Sequence, residues 1–251
     1  DHASGITAQV PATCPSCGSA ELKPVGAGTQ RIEDLLAQLL PEARVLRADG
    51  DTLRHPEDIL SLLAQMRSGD ADILLGTQSV VKGLDLPEVT LSAVLVADVG
   101  LSLPSFRAGE RVFQLLTQLT GRSGRAKNGE VIVQTFRPQA PEIILASEHK
   151  TEEYLEQELA LRKSTSYPPS TRMIRLLLAE PDAAGRAKAL HRVLLERVIR
   201  SDTKAYATAA PTLYGGGKEW HILLRGERPA ELLDGLDLSE ASVDVDPVDC
   251  L

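Results

Sequence analysis

The residue types best suited to chemistry stand together at Gln118-Leu119-Thr120-Gly121-Arg122-Ser123-Gly124-Arg125. Two arginines three apart, spaced by serine and glycine, can approach a polyphosphate closely because the glycines present no side chains. Guanidinium suits phosphate: it is planar, always charged, and bonds through paired N–H groups. In nucleotide-driven motors such arginines reach across a cleft and stabilise charge developing on the γ-phosphate. A solvated basic turn would explain a lone GRxGR. Here the segment follows a helical pattern and precedes a strand, which favours the catalytic reading for Gln118, Arg122 and Arg125, with Gly121 and Gly124 as the close-approach positions.

A second segment runs Gly76-Thr77-Gln78-Ser79-Val80-Val81-Lys82-Gly83-Leu84-Asp85-Leu86-Pro87. Gly76 ends an apolar run, so Thr77 and Gln78 are delivered to the strand's end, and Lys82 and Asp85 flank Gly83 on the next turn. Such a loop couples nucleotide to nucleic acid through hydroxyl and backbone contacts, although an ordinary strand-to-helix loop has the same composition. Cys14-Pro-Ser-Cys17 is half of a tetrahedral zinc site, which needs four ligands. No second Cys-x-x-Cys follows, the third cysteine is Cys250, and the expectation is no structural zinc. Near the C-terminus Tyr206, Tyr214, Trp220 and His221 alternate with Lys218, Arg225 and Arg228. Aromatics stack on unpaired bases and cations meet phosphates, so these residues form a candidate DNA or partner patch; core aromatics beside solvated charges are the equal alternative.

What is missing also shapes the reading. No GxxxxGK followed by Ser or Thr occurs, the string that cradles phosphates; Gly215-Gly216-Gly217-Lys218-Glu219 comes nearest and fails. No acidic box for magnesium appears. This chain alone is therefore expected not to hydrolyse ATP.

The elements that must position these residues follow from periodicity. Ile32, Leu35, Leu36, Leu39 and Leu40 recur at helical spacing before Pro41, and residues 56–67 form a second amphipathic helix. Short apolar runs at 43–47, 72–76, 89–96 and 131–135 read as strands, the third of a kind buried on both faces of a parallel sheet. A helix over 109–119 precedes the glycine-rich stretch. Alternating strands and helices imply βαβ crossovers and a parallel α/β fold. A helix over 151–163 is followed by Tyr167-Pro168-Pro169, which breaks the chain near Ser166. Beyond it the order strand (173–179), helix (182–200), strand (205–210), strand (220–225), short helix (229–236), strand (242–246) is that of a small split-βαβ α+β domain.

Composition sets limits. Hydrophobic residues make up 43% of 251, enough for real cores, while aromatics at 3% leave those cores to Leu, Val, Ile and Ala. The net charge is −8, and acidic residues outnumber basic ones on both sides of Thr165, so nucleic acid is not held by bulk charge and any contact must be local. No apolar run approaches the roughly 18 residues of a membrane span, and the first residues lack a signal-peptide layout. A soluble cytoplasmic protein without membrane partners is expected.

With these segments in view, the chain resembles the PriA family of bacterial replication-restart helicases almost end to end. The resemblance is carried by Cys14-Pro-Ser-Cys17-Gly18-Ser19, Gly26-Ala-Gly28-Thr29, Ala43-Arg-Val-Leu-Arg47, Gly76-Thr-Gln78, Lys82-Gly83, Leu103-Pro104-Ser105-Phe106-Arg107 and the GRSGR. It continues through Glu156-Gln157-Glu158-Leu159-Ala160-Leu161-Arg162, Tyr167-Pro168-Pro169 and Val243-Asp244-Val245-Asp246-Pro247. The last three are more particular to this family than GRxGR, which many helicases share.

The resemblance implies a remnant of a cysteine-rich zinc-binding region over 1–25, a RecA-like helicase second lobe over 26–165 and a family-type C-terminal domain over 166–251. It further implies ATP and magnesium in the complete protein, 3′-to-5′ unwinding, and partners: branched or single-stranded DNA, single-strand-binding protein, primosome proteins and a replicative helicase loader. The DNA-binding N-terminal domains and first motor lobe would precede residue 1. Asp1 and Ser4 stand where the family carries a cysteine pair, and the family's KGHDF becomes Lys82-Gly83-Leu84-Asp85-Leu86, losing a histidine and an aromatic. These departures open the alternative of a non-enzymatic fork-binding and recruiting platform with a vestigial motor lobe.

Overall fold

The structure is a computed structural model. It describes residues 12–13, 16–20, 28–50, 52–53, 55–77, 86, 88–123, 129–202, 204–212 and 218–248. The chain divides into two compact units. One comprises Leu22–Ser102 and Gly109–Thr151; the other comprises Asp1–Glu21, Leu103–Ala108 and Glu152–Leu251.

The first unit is α/β. Helix α1 (Thr29–Leu39) leads to β1 (Val45–Ala48), α2 (Pro56–Ser68) to β2 (Ile73–Gly76), and β3 (Leu91–Val94), α3 (Ala97–Leu101), α4 (Ala108–Ser123), β4 (Glu130–Val133) and α5 (Pro141–Ser147) follow. Strand β1 pairs parallel with β2, Ala48 opposite Gly76, and β3 pairs parallel with β4, Val94 opposite Val133. Among the described residues these are two separate two-stranded ladders. Parallel neighbours need a crossover; α2 supplies one, and α3 with α4 the other. Helix α2 starts at a capping box, His55 N donating to Asp58 Oδ2 at 2.7 Å, and stops at Gly69, whose φ of 75° a side chain would resist. It packs Leu62 beside the fully buried Ala48, with Leu46, Leu63, Met66 and Leu74 around them.

The second ladder differs from the expectation of burial on both faces. Leu91, Ala93 and Ile132 are exposed while Ser92, Val94, Val131 and Val133 are half-buried, so among the described residues only one face is covered. In α4, Val112, Phe113 and Leu116 are buried. Helices α3 and α4 approach so closely that a Cβ on Gly100 would stand 2.7 Å from Val112 Cγ2.

The second unit takes α6 (Thr151–Ser164) and a four-stranded antiparallel sheet. Its strands are β5 (Arg172–Ala179), β6 (Ala205–Pro211), β7 (Glu219–Gly226) and β8 (Ser242–Val245), in the order β6-β7-β5-β8. With α7 (Ala183–Arg200) after β5 and a 3₁₀ turn (Pro229–Leu233) before β8, this is the split-βαβ order read from the sequence. Alternation directs Ile174, Leu176 and Leu178 of β5, Ala207 of β6 and Ile222 and Leu224 of β7 onto Ala187 and Leu194 of α7. The alanines of β6 let α7 lie close to the sheet. The closing Val243-Asp244-Val245-Asp246 binds β5: Asp244 reaches Arg175 at 3.3 Å, and Asp246 Oδ1 accepts from Arg172 Nε at 2.9 Å.

Candidate functional site

Helix α4 carries the arginine segment further into helix than expected. It runs to Ser123 instead of ending near Leu119, so Gly121 and Arg122 occupy its last turn. The hydroxyls explain the continuation: Thr117 Oγ1 donates to Phe113 O at 2.9 Å and Thr120 Oγ1 to Thr117 O at 3.1 Å, so neither competes for a cap. Gly121 is exposed, and a Cβ there would meet nothing within 4 Å. Gln118 is exposed too, one turn of helix before the backbone position of Arg122. Gly124 and Arg125 lie outside the described residues.

A second cluster forms at the carboxyl ends of β1 and β2, the end of a parallel sheet where ligands bind in α/β proteins. Thr77 N donates to Ala48 O at 3.3 Å, which holds the exposed Gly76 and Thr77 beside the turn at Asp49. Asp49, 8% exposed, accepts from Thr29 Oγ1 at 2.5 Å and lies 2.9 Å from Arg47 Nε, while Arg47 Nη1 donates to Glu33 at 2.9 Å. Thr52 closes the same turn, its Oγ1 accepting from Asp49 N at 2.9 Å. Three sequence segments, Gly28-Thr29, Ala43 to Arg47 and Gly76-Thr77, thus meet at one end of one ladder. Asp49 and Thr52 did not stand out in the sequence; the one signal was an acid directly after a strand-forming run. Gln78, Lys82, Gly83 and Asp85 lie outside the described residues.

The second unit holds an alternating series of cations and rings. Phe106 stacks on Tyr167 with centroids 5.1 Å apart and planes 10° from parallel. The Arg162 guanidinium lies over Phe106 at 5.1 Å. Arg225 lies over Tyr167 at 4.1 Å and over Tyr206 at 4.8 Å, and Lys204 stands over Tyr206 at 5.7 Å. Arg162 is fixed by Glu158, its Nε donating to Oε1 at 2.7 Å with both side chains nearly buried. The Lys204 ammonium, hydrogen-bonded to the Tyr206 hydroxyl, lowers that phenol's pKa, and Ser166 adds to the effect. Segment Leu103–Ala108 packs in this unit although the chain on either side of it belongs to the other.

The C-terminal candidates are not held as one patch. Trp220 packs against the core on the α7 side of the sheet, with Lys188 over its ring at 5.3 Å. Arg225, five residues on, projects from the opposite face. His221 is 2% exposed, Lys218 is exposed at the start of β7, and Arg228 is engaged by Asp202 at 3.2 Å and Glu231 at 2.9 Å. Tyr214 lies outside the described residues. Phe106, Arg162, Tyr167 and Lys204 were not among the residues singled out for binding; the first three sit in the segments that carried the family resemblance.

For metal, Cys17 is an exposed free thiol, Cys14 and Cys250 lie outside the described residues, and no group of three or more His, Cys, Asp or Glu among the described residues has metal-binding geometry. The described side chains therefore do not complete a zinc set. No helix among them is long and apolar enough to cross a membrane.

The fold and these clusters define a class: an α/β unit with parallel ladders of the helicase-lobe type, joined to a split-βαβ unit. No family model matches the chain. Curated relatives do: the replication restart protein PriA of Bacillus subtilis is 42% identical over 212 residues, 83% of this chain and 26% of that protein. The PriA of Chlamydia trachomatis is 48% identical over 167 residues, 66% of this chain and 22% of that protein; the PriA of Treponema pallidum is 36% identical over 229 residues, 89% and 35%. The chain belongs to the PriA family and corresponds to a C-terminal portion of it. It spans between 22% and 35% of the length of these relatives.

Proposed function

We propose that the chain is the second motor lobe and C-terminal domain of a replication restart protein, one that binds stalled forks and D-loops and directs primosome assembly. The observation that carries the reading is the course of α4, which brings the exposed Gln118 and Gly121 to its end and runs on into the GRSGR segment. In this reading Arg122 and Arg125 supply positive charge to the γ-phosphate of ATP and magnesium held by a separate lobe, and Gly76, Thr77, Gln78, Lys82, Gly83 and Asp85 couple that nucleotide to the DNA strand. Support comes from the names of the relatives and from the parallel-ladder fold. The chain supplies no phosphate loop of its own, so hydrolysis and 3′-to-5′ unwinding belong to the complete protein. Single-strand-binding protein, primosome proteins and the replicative helicase loader are its proposed protein partners. Zinc is left out of the reading.

The test is DNA-stimulated ATPase of the complete protein with and without Arg125→Ala. Removing an arginine that stabilises a phosphoryl-transfer transition state lowers turnover by about 10³-fold or more. A parent protein without DNA-stimulated turnover would refute the motor reading. The loss of the family's histidine and aromatic around Leu84 and Leu86 favours, in that event, the alternative of a fork-binding and recruiting platform.

A further inference from the structure

Arg225 differs from the acid-paired arginines of its unit. Arg162, Arg172, Arg175, Arg186 and Arg228 each reach a carboxylate. The Arg225 guanidinium makes no hydrogen bond and no ion pair with any described residue; it lies over the two tyrosine rings, at 4.1 and 4.8 Å. Its Nε is removed from water and has no acceptor. A desolvated N–H without an acceptor is costly, and burying an unmet guanidinium donor costs more than burying a neutral one. With two tyrosine rings within 5 Å of its Cζ, the guanidinium keeps its paired Nη groups to bond, and these match paired oxygens of an oxyanion. Lys204, whose ammonium bonds the Tyr206 hydroxyl and stands 5.7 Å from the ring centre, adds a second cation.

The rings themselves are taken. Tyr167 already carries Phe106 and Arg225, and Tyr206 carries Arg225 and Lys204. Rings so occupied offer a nucleic-acid base less than the bare aromatic platform usual for single strands. What is offered is a pinned guanidinium, an ammonium and a polarised phenol, on a protein whose net charge of −8 requires any nucleic-acid contact to be local.

The geometry points to a phosphodiester receptor: Arg225, held against Tyr167 and Tyr206 and assisted by Lys204, binds a backbone phosphate of a nucleic-acid strand with no contact to its bases. This deepens the proposed function and rests on its premise that the protein binds DNA. The tyrosine pair is then the positioning device, and Arg225 and Lys204 are the contacts.

The experiment is fluorescence anisotropy of the full chain with labelled oligothymidylate, with an abasic strand of equal length and with duplex, each over a salt series, for the parent, Arg225→Ala, Arg225→Lys and Lys204→Ala. Arg225→Ala is expected to weaken binding about tenfold and to reduce the salt slope by about 0.7 on single strands and about 0.9 on duplex, the value of one phosphate contact. The loss is expected to be equal on the thymidylate and abasic strands. Arg225→Lys keeps the slope, because the charge stays, and loses part of the affinity with the paired N–H edge. A slope unchanged in Arg225→Ala overturns the assignment, including where the unfolding midpoint drops, since that result describes a purely structural cation. So does a loss confined to strands that carry bases, or a variant that binds DNA normally while losing affinity for a peptide with a free C-terminal carboxylate. Should Arg225→Ala fail to fold, Lys204→Ala decides, because it leaves Arg225 and its two tyrosines intact: an unchanged slope overturns the proposal. A parent that binds no DNA sinks this receptor and the proposed function together; a binding parent with unaltered variants sinks the receptor alone.

Discussion

The stack of Phe106 on Tyr167 makes a quantitative claim about which unit holds segment Leu103–Ala108, and Phe106→Ala tests it. The substitution removes an aromatic pair, worth about 0.5–1.5 kcal/mol beyond area burial, and the Arg162 cation–ring contact, worth about 0.5–1 kcal/mol at a partly exposed site. The ring is half-buried, and losing its remaining apolar area brings the total to about 2–3 kcal/mol. At about 1.4 kcal/mol per tenfold, the folding constant falls roughly 30- to 140-fold. The readout is unusually selective, because the chain has a single tryptophan, Trp220, and it lies in β7 of the same unit. A two-unit chain need not unfold in one step, so urea titration followed by Trp220 fluorescence isolates the unit in question. Phe106→Leu should recover the apolar part and not the stacking part. In the double variant with Tyr167→Ala, the coupling energy should be about 0.5–1.5 kcal/mol. A Trp220 transition that moves by less than about 0.5 kcal/mol in Phe106→Ala, the range of ordinary surface substitutions, would refute the anchoring of this segment.

Three further outcomes follow from local geometry. Gly226→Ala should destabilise the same transition by about 1–3 kcal/mol, because the added Cβ would stand 2.6 Å from Lys204 O and 3.0 Å from Ala205 Cα, which are backbone and cannot rotate away. Acid should weaken both units: Arg44 holds the Asp72 carboxyl down at about 2, and Arg172 holds Asp246 below the ordinary carboxylate range. A carboxylate depressed in the folded state contributes its stability fully above its unfolded pKa and loses it as pH falls through the folded one. Circular dichroism should therefore show the loss for Asp72 between about pH 4 and about pH 2, reduced by added salt because both pairs are exposed; stability unchanged across that window would contradict the pairing. Metal analysis of the purified chain should find no stoichiometric zinc, since Cys14 and Cys17 alone provide half a tetrahedral set; one bound equivalent would show that other residues complete it.

The parts of this fold that were legible are those with a period. Helices α1, α2 and α7 announce themselves by apolar spacing, and the strand order of the C-terminal sheet followed from element order alone. Helix α3 was hidden because Ala97–Leu101 continues an apolar run beginning at Val89, in which five helical residues leave no repeat to detect. Helix α5, Pro141–Ser147, is equally short and went unread. At α4 the sequence misled: Gly121 suggested a helix end, whereas Thr117 and Thr120 spend their hydroxyls inside the helix and let it continue to Ser123. In the candidate site, what is local could be read, as with the helix that carries Gln118. The ring-and-cation series could not, because Phe106, Arg162, Tyr167, Lys204, Tyr206 and Arg225 come from five stretches of chain, and no spacing rule joins them.

That distribution separates two kinds of family signal. GRSGR, which many helicases share, lies on the α/β unit. The more particular segments, 156–162, 167–169 and 243–247, all belong by packing to the other unit, as does 103–107. There they share contacts: Arg162 meets Phe106, Phe106 meets Tyr167, Arg162 Nη1 donates to Pro168 O at 3.4 Å, and Arg107 Nη1 donates to Val248 O at 3.3 Å, just beyond the closing strand. A change in any one of these segments is felt by its partners, which is a physical reason for them to occur together. Arg225 then occupies an unusual position, held by the stack and yet without an acceptor. If the stack served only cohesion, an aliphatic residue at 225 would pack against the two tyrosines without leaving a buried donor unmet. An arginine there keeps its Nη groups for an acceptor outside the described chain, which is what the proposed phosphate contact uses.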